Sequence, residues 1–213
     1  MRTRTLRRVL PGPPGKPLPP PETTAMLRAF ARDRAAGRPW TGEAARFFTD
    51  LFDELAATWD TGLATGRDEP LRDALTRGGP MPAGPCLEIG SGTGAHTPLL
   101  TAAFPAVISL DISEQMLRRA AGRSPARVRA DAAALPVTHA GVAAVVAVDM
   151  LLFPEQIARV LAPGGVLLWI NQLGADGPLH LPADAVAAAL PGRWDATEAE
   201  AGWGTWAVLR ARS

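Results

Sequence analysis

Two hydrophobic rhythms divide this chain. Over residues 22–80 apolar side chains recur at helical spacing. Met26, Leu27, Phe30 and Ala31 share one face, and Gly37 is a natural stop. Thr41 can cap the next helix, where Phe48, Leu51, Phe52, Leu55 and Trp59 form a stripe while Glu43, Arg46, Asp50 and Glu54 face away. A third, short helix is expected around Leu71 to Thr76, ending at Gly78-Gly79. The rhythm then changes to short apolar runs at 86–89, 106–110, 127–129, 142–148 and 166–170, which read as strands. Helical or turn segments at 95–103, 113–121 and 154–161 separate them. Ser113 can cap one of these, with Glu114 in its first turn and Gly122 at its end. Pro154 suits the first position of another, and Pro163-Gly164-Gly165 forces the turn into the strand that follows. Strands alternating with helices imply an α/β, doubly wound, mostly parallel sheet. Trp194 to Ala201 and Thr205 to Arg210, joined through Gly202-Trp203-Gly204, read as a closing strand pair.

The N-terminus follows neither rhythm. Pro11, Pro13, Pro14, Pro17, Pro19, Pro20 and Pro21 forbid helix and favour extended, solvated backbone. With Arg2, Arg4, Arg7 and Arg8 ahead of them, residues 1–21 are expected to form a flexible or loosely draped basic arm. Residues 22–80 then form a helical cap and residues 81–213 the α/β core. A length of 213 residues allows one substantial core plus such an arm, and 47% apolar content suits a globular protein. A net charge of +1 gives no global electrostatic case for nucleic acid or membrane. No stretch approaches the roughly 20 apolar residues of a membrane span, and the apolar part of residues 1–10 is too short for a signal peptide. The single cysteine, Cys86, rules out an internal disulfide and falls in a strand, so a cytoplasmic location is expected.

The chemistry gathers where strands end. Cys86-Leu87-Glu88-Ile89-Gly90-Ser91-Gly92-Thr93-Gly94 is a short strand with one acid, breaking into alternating glycines. Glycine lets the backbone take positive φ and approach a ligand closely, and a following helix offers free N–H groups. The pattern is G-x-G-x-G with Glu88 ahead, where dinucleotide turns carry G-x-G-x-x-G; taken alone, it is also an ordinary tight turn. Asp111 stands 17 residues past Gly94, closing a second strand. A carboxylate there can accept from both hydroxyls of a ribose, or can cap the next helix. Asp131-Ala132 follows the third strand, and the fourth, Val142 to Val148, ends in Asp149-Met150-Leu151. Ligands of open parallel sheets collect where strand order reverses, here between the strands ending at Ile89 and Val148, so Met150 and Leu151 are candidates to cover one.

In this order the motifs make residues 85–211 resemble the class I S-adenosylmethionine-dependent methyltransferases, of the small-molecule, ubiquinone-methyltransferase-like type. The resemblance implies a Rossmann-like fold closed by an antiparallel strand pair, S-adenosylmethionine as cofactor, and methyl transfer to a small-molecule acceptor. It implies that Glu88 orients the methionine part of the cofactor. Gly90, Ser91 and Gly92 would form the close backbone approach, and Gly94 would pack the next helix, whose N-terminus could meet the cofactor's carboxylate. Asp111 would hold the ribose, and Ile112 would pack on adenine with Met116 covering the ring. Asp131 would accept from the adenine amino group while the N–H of Ala132 reaches a ring nitrogen. Phe52-Asp53 and Trp59-Asp60 resemble the lid helix that precedes such cores, although a core-facing aromatic stripe accounts for them equally well.

One departure stands out. Nine residues lie between Asp149 and Arg159, where relatives have a longer loop and helix. The cavity there is expected to be more open, or covered by the N-terminal arm or by another subunit. A homodimer fits this reading, while nucleic acid, membrane and metal are not expected. No catalytic residue is assigned. His96 begins the helix after the glycine turn, His139 lies in a surface turn, and Asn171 and His180 sit on the edge where an acceptor should lie. Two other readings stay open. A non-catalytic cofactor-binding module would explain the short segment and the missing base. A nicotinamide-dependent oxidoreductase fits the glycine turn and Asp111 but not Glu88, Asp131 and the closing strand pair.

Overall fold

The computed structural model describes residues 2–17, 20–62 and 66–212; of the expected arm, Met1, Leu18 and Pro19 lie outside them. The strands are β1 (Thr3–Thr5), β2 (Pro85–Ile89), β3 (Ala106–Asp111), β4 (Arg127–Arg129), β5 (Val142–Val148), β6 (Leu161–Asn171), β7 (Trp194–Ala201) and β8 (Gly204–Ala211). They form one 8-stranded sheet in the order β1-β7-β8-β6-β5-β2-β3-β4. Every pairing is parallel except those of β8, which runs antiparallel to β6 and β7. The expected doubly wound sheet with its closing antiparallel pair is therefore present, and strand order reverses between β2 and β5.

Side chains alternate across the strands, so each central strand feeds two cores. Leu87, Ile89, Val145, Ala147, Leu167 and Trp169 pack on one face, beneath α1 (Pro21–Ala35), α2 (Gly42–Leu55), α6 (Pro154–Val160) and α7 (Ala183–Ala189). Cys86, Ala144, Val146, Leu168, Ile170 and Trp206 pack on the other, against α3 (Glu69–Arg77) and α4 (Thr97–Ala103). Local chemistry sets the helix ends. Thr41 accepts from the N–H of Ala44 at 3.2 Å to start α2, and Ser113 accepts from the N–H of Met116 at 3.1 Å to start α5 (Glu114–Arg119). Gly37 takes φ +78° just beyond α1.

The structure corrects four expectations. The arm is docked: β1 pairs in register with Ala196–Glu198, Leu6 donates to the Glu198 carbonyl at 2.8 Å, and Gly202 donates to Leu10 at 3.0 Å. The indole of Trp203 donates to the Pro13 carbonyl at 2.6 Å, and Lys16 pairs with Asp176 at 2.6 Å. Without Thr3–Thr5 β7 would be a bare edge, while the described part of the proline-rich stretch that follows adds only the bridge of Pro11 to Gly202 to the pairing. Pro21, expected in the arm, is the first residue of α1, where its missing N–H costs nothing. Pro163-Gly164-Gly165 is not a turn before β6 but an irregularity within it, where pairing with β5 shifts between Val142 and Ala144. Trp59 leaves the α2 stripe and opens a separate 3₁₀ turn, Trp59–Gly62. A helix that the alanine-rich run 183–189 did not announce, α7, follows Pro182. Among the described residues no helix is long and apolar enough to cross a membrane.

Candidate functional site

The C-terminal ends of β2, β3 and β5 open into a cavity of about 600 Å³. The sheet edge is its floor and α1, α2 and the Trp59–Gly62 turn are its roof. An aromatic series runs along that roof: Trp40 contacts Phe48 with ring centres 5.6 Å apart, Phe48 contacts Phe52 at 6.1 Å, and Phe52 contacts Trp59 at 5.8 Å.

The glycine turn forms the near wall. Gly90 and Gly92 take φ +67° and +54°, which only glycine adopts without strain. A Cβ on Gly90 would lie 2.5 Å from Met150 Sδ, whereas one on Gly92 would project into open space with nothing closer than Trp59 Nε1 at 3.8 Å. Ser91 sits between them with its hydroxyl oxygen buried and unpartnered. Gly94 is different. It does not line the cavity; its missing side chain lets the turn close on Ala120 and Arg123, 3.2 and 3.3 Å from where a Cβ would be. The packing role expected of it is present, against Ala120 and Arg123, while its place among the cavity-lining residues is not. The helix after it begins at Thr97, not at residue 95, and has Pro98 in its first turn.

Glu88 and Asp111 are buried in this wall at 2% and 6% exposure. Glu88 Oε2 accepts from Thr97 Oγ1 at 2.6 Å and from Ser109 Oγ at 2.8 Å. Burial pushes its carboxyl up to about 7; the two hydroxyls oppose that shift and nearby Asp111 adds to it. Asp111 staples the turn to α5, accepting from Gly92 N at 2.7 Å and from Ser113 N at 2.8 Å. Burial raises its pKa and these backbone bonds pull it back. Ile112 and Met116 line the cavity beside it.

Asp131 and Ala132 close the same end. Asp131 Oδ1 caps the short turn after β4 through Ala133 N at 2.8 Å, and Oδ2 takes the indole N–H of Trp40 at 2.7 Å. Met150 and Leu151 line the β5 side. Eleven of the twelve expected contact residues thus share one cavity, Gly94 being the exception.

The roof is latched across this site. Asp53 accepts from Ser113 Oγ and from Gln115 N, the latter at 3.1 Å. Asp60 accepts from Thr93 Oγ1 and pairs with Arg123, both at 2.6 Å. The short Asp149–Arg159 segment still supplies Met150, Leu151 and Phe153 to the lining, and Trp40 packs on Phe153 with ring centres 5.3 Å apart.

The far end joins His96 and Asp149, named from the sequence without a role at the site, to Gln172 and Arg67, which the sequence did not single out. Asp149 sits at φ +45°, its Oδ1 accepting from Gln172 N at 3.0 Å, and burial raises its carboxyl to about 6. Gln172, His96 and Arg67 complete this wall. Asn171 and His180, expected on the acceptor edge, do not line the cavity. Asn171 is turned to the Leu181 carbonyl at 3.3 Å, and His180 lies near Arg28 and Asp176. His139 is exposed in its turn.

Comparison with known proteins agrees with this architecture. The family model of a methyltransferase domain matches residues 87–169. Trans-aconitate 2-methyltransferase of Rhizobium meliloti is 34% identical over 126 residues, covering 54% of this chain and 49% of that protein. The chain thus spans about half the length of the curated relative it matches. A chain from the complex of the Haloferax volcanii Trm112 methyltransferase activator with a methyltransferase superposes with a TM-score of 0.61 at 16% identity, over 75% of this chain and 96% of its own. The DhpI–SAH complex gives 0.60 at 20% identity, over 78% and 95%. At these identities the two structures speak for the fold alone.

Proposed function

We propose that this chain is a class I S-adenosylmethionine-dependent methyltransferase and that it transfers a methyl group from S-adenosylmethionine to a small-molecule acceptor, a reading supported by the methyltransferase-domain match over residues 87–169 and by the fold. The observation that carries this reading is the convergence of Glu88, Asp111 and Asp131 with the glycine turn on one roofed cavity. The wall also fits the cofactor locally. Ser91 Oγ is a buried hydroxyl lacking a partner, and Gly92 leaves open the space that a side chain would fill.

In this reading Asp111 accepts from the ribose hydroxyls, Ile112 and Met116 pack on the adenine, and Ala132 and Asp131 meet its polar edge. Glu88, in its ionised form, takes the ammonium. Met150 and Leu151 cover the β5 side. When bound, the cofactor supplies an electrophilic methyl group on a sulfonium. The chain's own contribution is alignment and partial exclusion of water, since the aromatic roof turns a sheet edge into a half-covered, mostly apolar chamber. That partial enclosure supports a small acceptor over a polymer, and the similarity to a methyltransferase named for trans-aconitate supports small organic acids as the first acceptors to try. Residues 22–62 are read as the lid over residues 85–211.

Calorimetry is the direct test. S-adenosylhomocysteine is expected to bind while NAD does not; absence of binding at millimolar ligand would remove this reading. Turnover is then scored by release of S-adenosylhomocysteine over a panel of small carboxylic acids. Failure with every acceptor, alongside tight cofactor binding, would favour a binding module over an enzyme.

A further inference from the structure

The far wall of the cavity holds two hydrogen-bond donors that no described residue satisfies. The backbone carbonyl of Arg67 accepts from Gln172 Nε2 at 3.0 Å, and the same nitrogen lies 2.9 Å from His96 Nε2. An amide nitrogen can only donate, so His96 Nε2 must accept, and the proton of the neutral ring sits on Nδ1. Burial holds His96 down at about 4, which keeps it neutral at physiological pH. His96 Nδ1 and Arg67 Nε are both shut off from water and have no partner among the described residues. Both residues line the cavity. A buried donor is costly to leave unpaired, and more so on a charged group, so two of them in one cavity wall mark where a ligand's acceptor belongs.

The surroundings narrow the chemistry. The Arg67 charge acts on both His96 and Asp149, so the positive group is near each. Gln172 ties the cluster together, since its side chain holds Arg67 and His96 while its backbone N–H holds Asp149. A guanidinium N–H and a neutral imidazole N–H in the lining of one cavity are donors suited to an anion.

We infer that Arg67 Nε–H and His96 Nδ1–H receive a carboxylate of the bound ligand, either the amino-acid carboxylate of the cofactor or a carboxylate on the acceptor. The inference rests on the cavity being the S-adenosylmethionine site. It adds two side-chain donors, one of them on the N-cap residue His96, to the expected meeting of the cofactor carboxylate with the start of the helix after the glycine turn.

Three probes separate the sources: S-adenosylhomocysteine, 5′-methylthioadenosine (which lacks the amino-acid part), and succinate or citrate added to protein saturated with S-adenosylhomocysteine. If the carboxylate is the cofactor's, Arg67→Met weakens S-adenosylhomocysteine by ~10-fold or more and leaves 5′-methylthioadenosine within about 2-fold. If it is the acceptor's, both nucleosides are unchanged, and the wild-type protein binds succinate or citrate while Arg67→Met does not. Arg67→Lys, which keeps the charge but loses Nε–H, falls between wild type and Arg67→Met and provides the readout if the methionine variant fails to fold. His96→Leu weakens the same probe, and His96→Asn, whose amide nitrogen can stand near the Nδ1 position, restores part of the loss. Equal weakening of both nucleosides, or no change with any probe, overturns the inference. Wild-type protein that binds neither nucleoside overturns instead the methyltransferase reading beneath it.

Discussion

At the scale of single residues, the buried carboxylates do two jobs, and their variants must be read accordingly. Asp111→Ala leaves the N–H groups of Gly92 and Ser113 without acceptors, at about 1–3 kcal/mol for each buried donor. Urea denaturation should therefore show a stability loss alongside any loss of cofactor affinity. Asp111→Asn, which keeps one acceptor oxygen, should recover part of the stability. Glu88 is separable by pH. Its ordinary pKa of 4.5 rises to about 7 on folding, so its stabilising contribution is complete below pH 4.5 and is lost as pH climbs through 7. Asp149, raised to about 6 from 3.8, acts in the same direction. His96 acts oppositely, since its contribution is complete above pH 6.5 and is lost as pH falls through 4. Glu88→Gln isolates one term. Its Tm should match wild type near pH 4.5 and exceed it at pH 8, and S-adenosylhomocysteine affinity should rise through pH 7 in wild type only. A Tm difference independent of pH would contradict the assignment.

At the scale of elements, the roof and the arm are held by few contacts across long sequence separations. Asp60 joins the Trp59–Gly62 turn to Thr93 and Arg123, and those hydrogen bonds hold its carboxyl below the usual range against the effect of burial. The ion pair is partly exposed, so screening keeps its worth small. Asp60→Ala should speed S-adenosylhomocysteine release about 3–10-fold in stopped flow, with a smaller effect on Tm. An unchanged release rate would mean that the roof does not open on the path out. Deleting residues 2–10 removes β1 and uncovers the β7 edge. The shortened protein should melt earlier and self-associate with rising concentration in light scattering; a monomer of unchanged Tm would show that the strand is dispensable.

At the scale of the whole molecule, the sheet is clamped from its two faces. On the face away from the roof, Asp73 is 5% exposed and accepts from the Trp206 indole at 2.7 Å while pairing with Arg77. Arg210 adds bonds to the carbonyls of Gly78 and Pro80, at 2.8 and 2.9 Å. This fixes α3, and with it the segment bearing Arg67, against β8. Asp73→Ala strands the buried indole N–H and the partly covered guanidinium, and should cost about 3 kcal/mol in chemical denaturation. Cofactor affinity should fall less than stability. A fall in affinity with stability intact would mean that α3 shapes the site by a route other than this clamp.

What the sequence determined by itself was whatever local spacing encodes. The short apolar runs placed β2, β3, β4 and β5, and the terminal strand pair placed β7, within a residue or two of their observed limits. Because parallel strands end at one sheet edge, Glu88, Asp111, Asp131 and the Met150-Leu151 pair had to meet there once the order of strands was right. Gly94 was legible as a packing glycine in a turn, but that Ala120 and Arg123 are what it packs on depended on how the end of α5 came to rest. At the end of β6 the side chains alternate, so one residue decides the face: Asn171 turns to Leu181 and Thr205, and Gln172 enters the cavity. Trp40 reaches Asp131 across 91 residues, and Gln172 reaches His96 across 76 and Arg67 across 105. No local pattern records such meetings. The arm likewise had the conformation of a strand in its sequence, but it became one only because β7 offered an unpaired edge. Backbone conformation is a property of neighbours along the chain, whereas the partners of a buried donor are chosen by packing, and only the folded molecule brings them together.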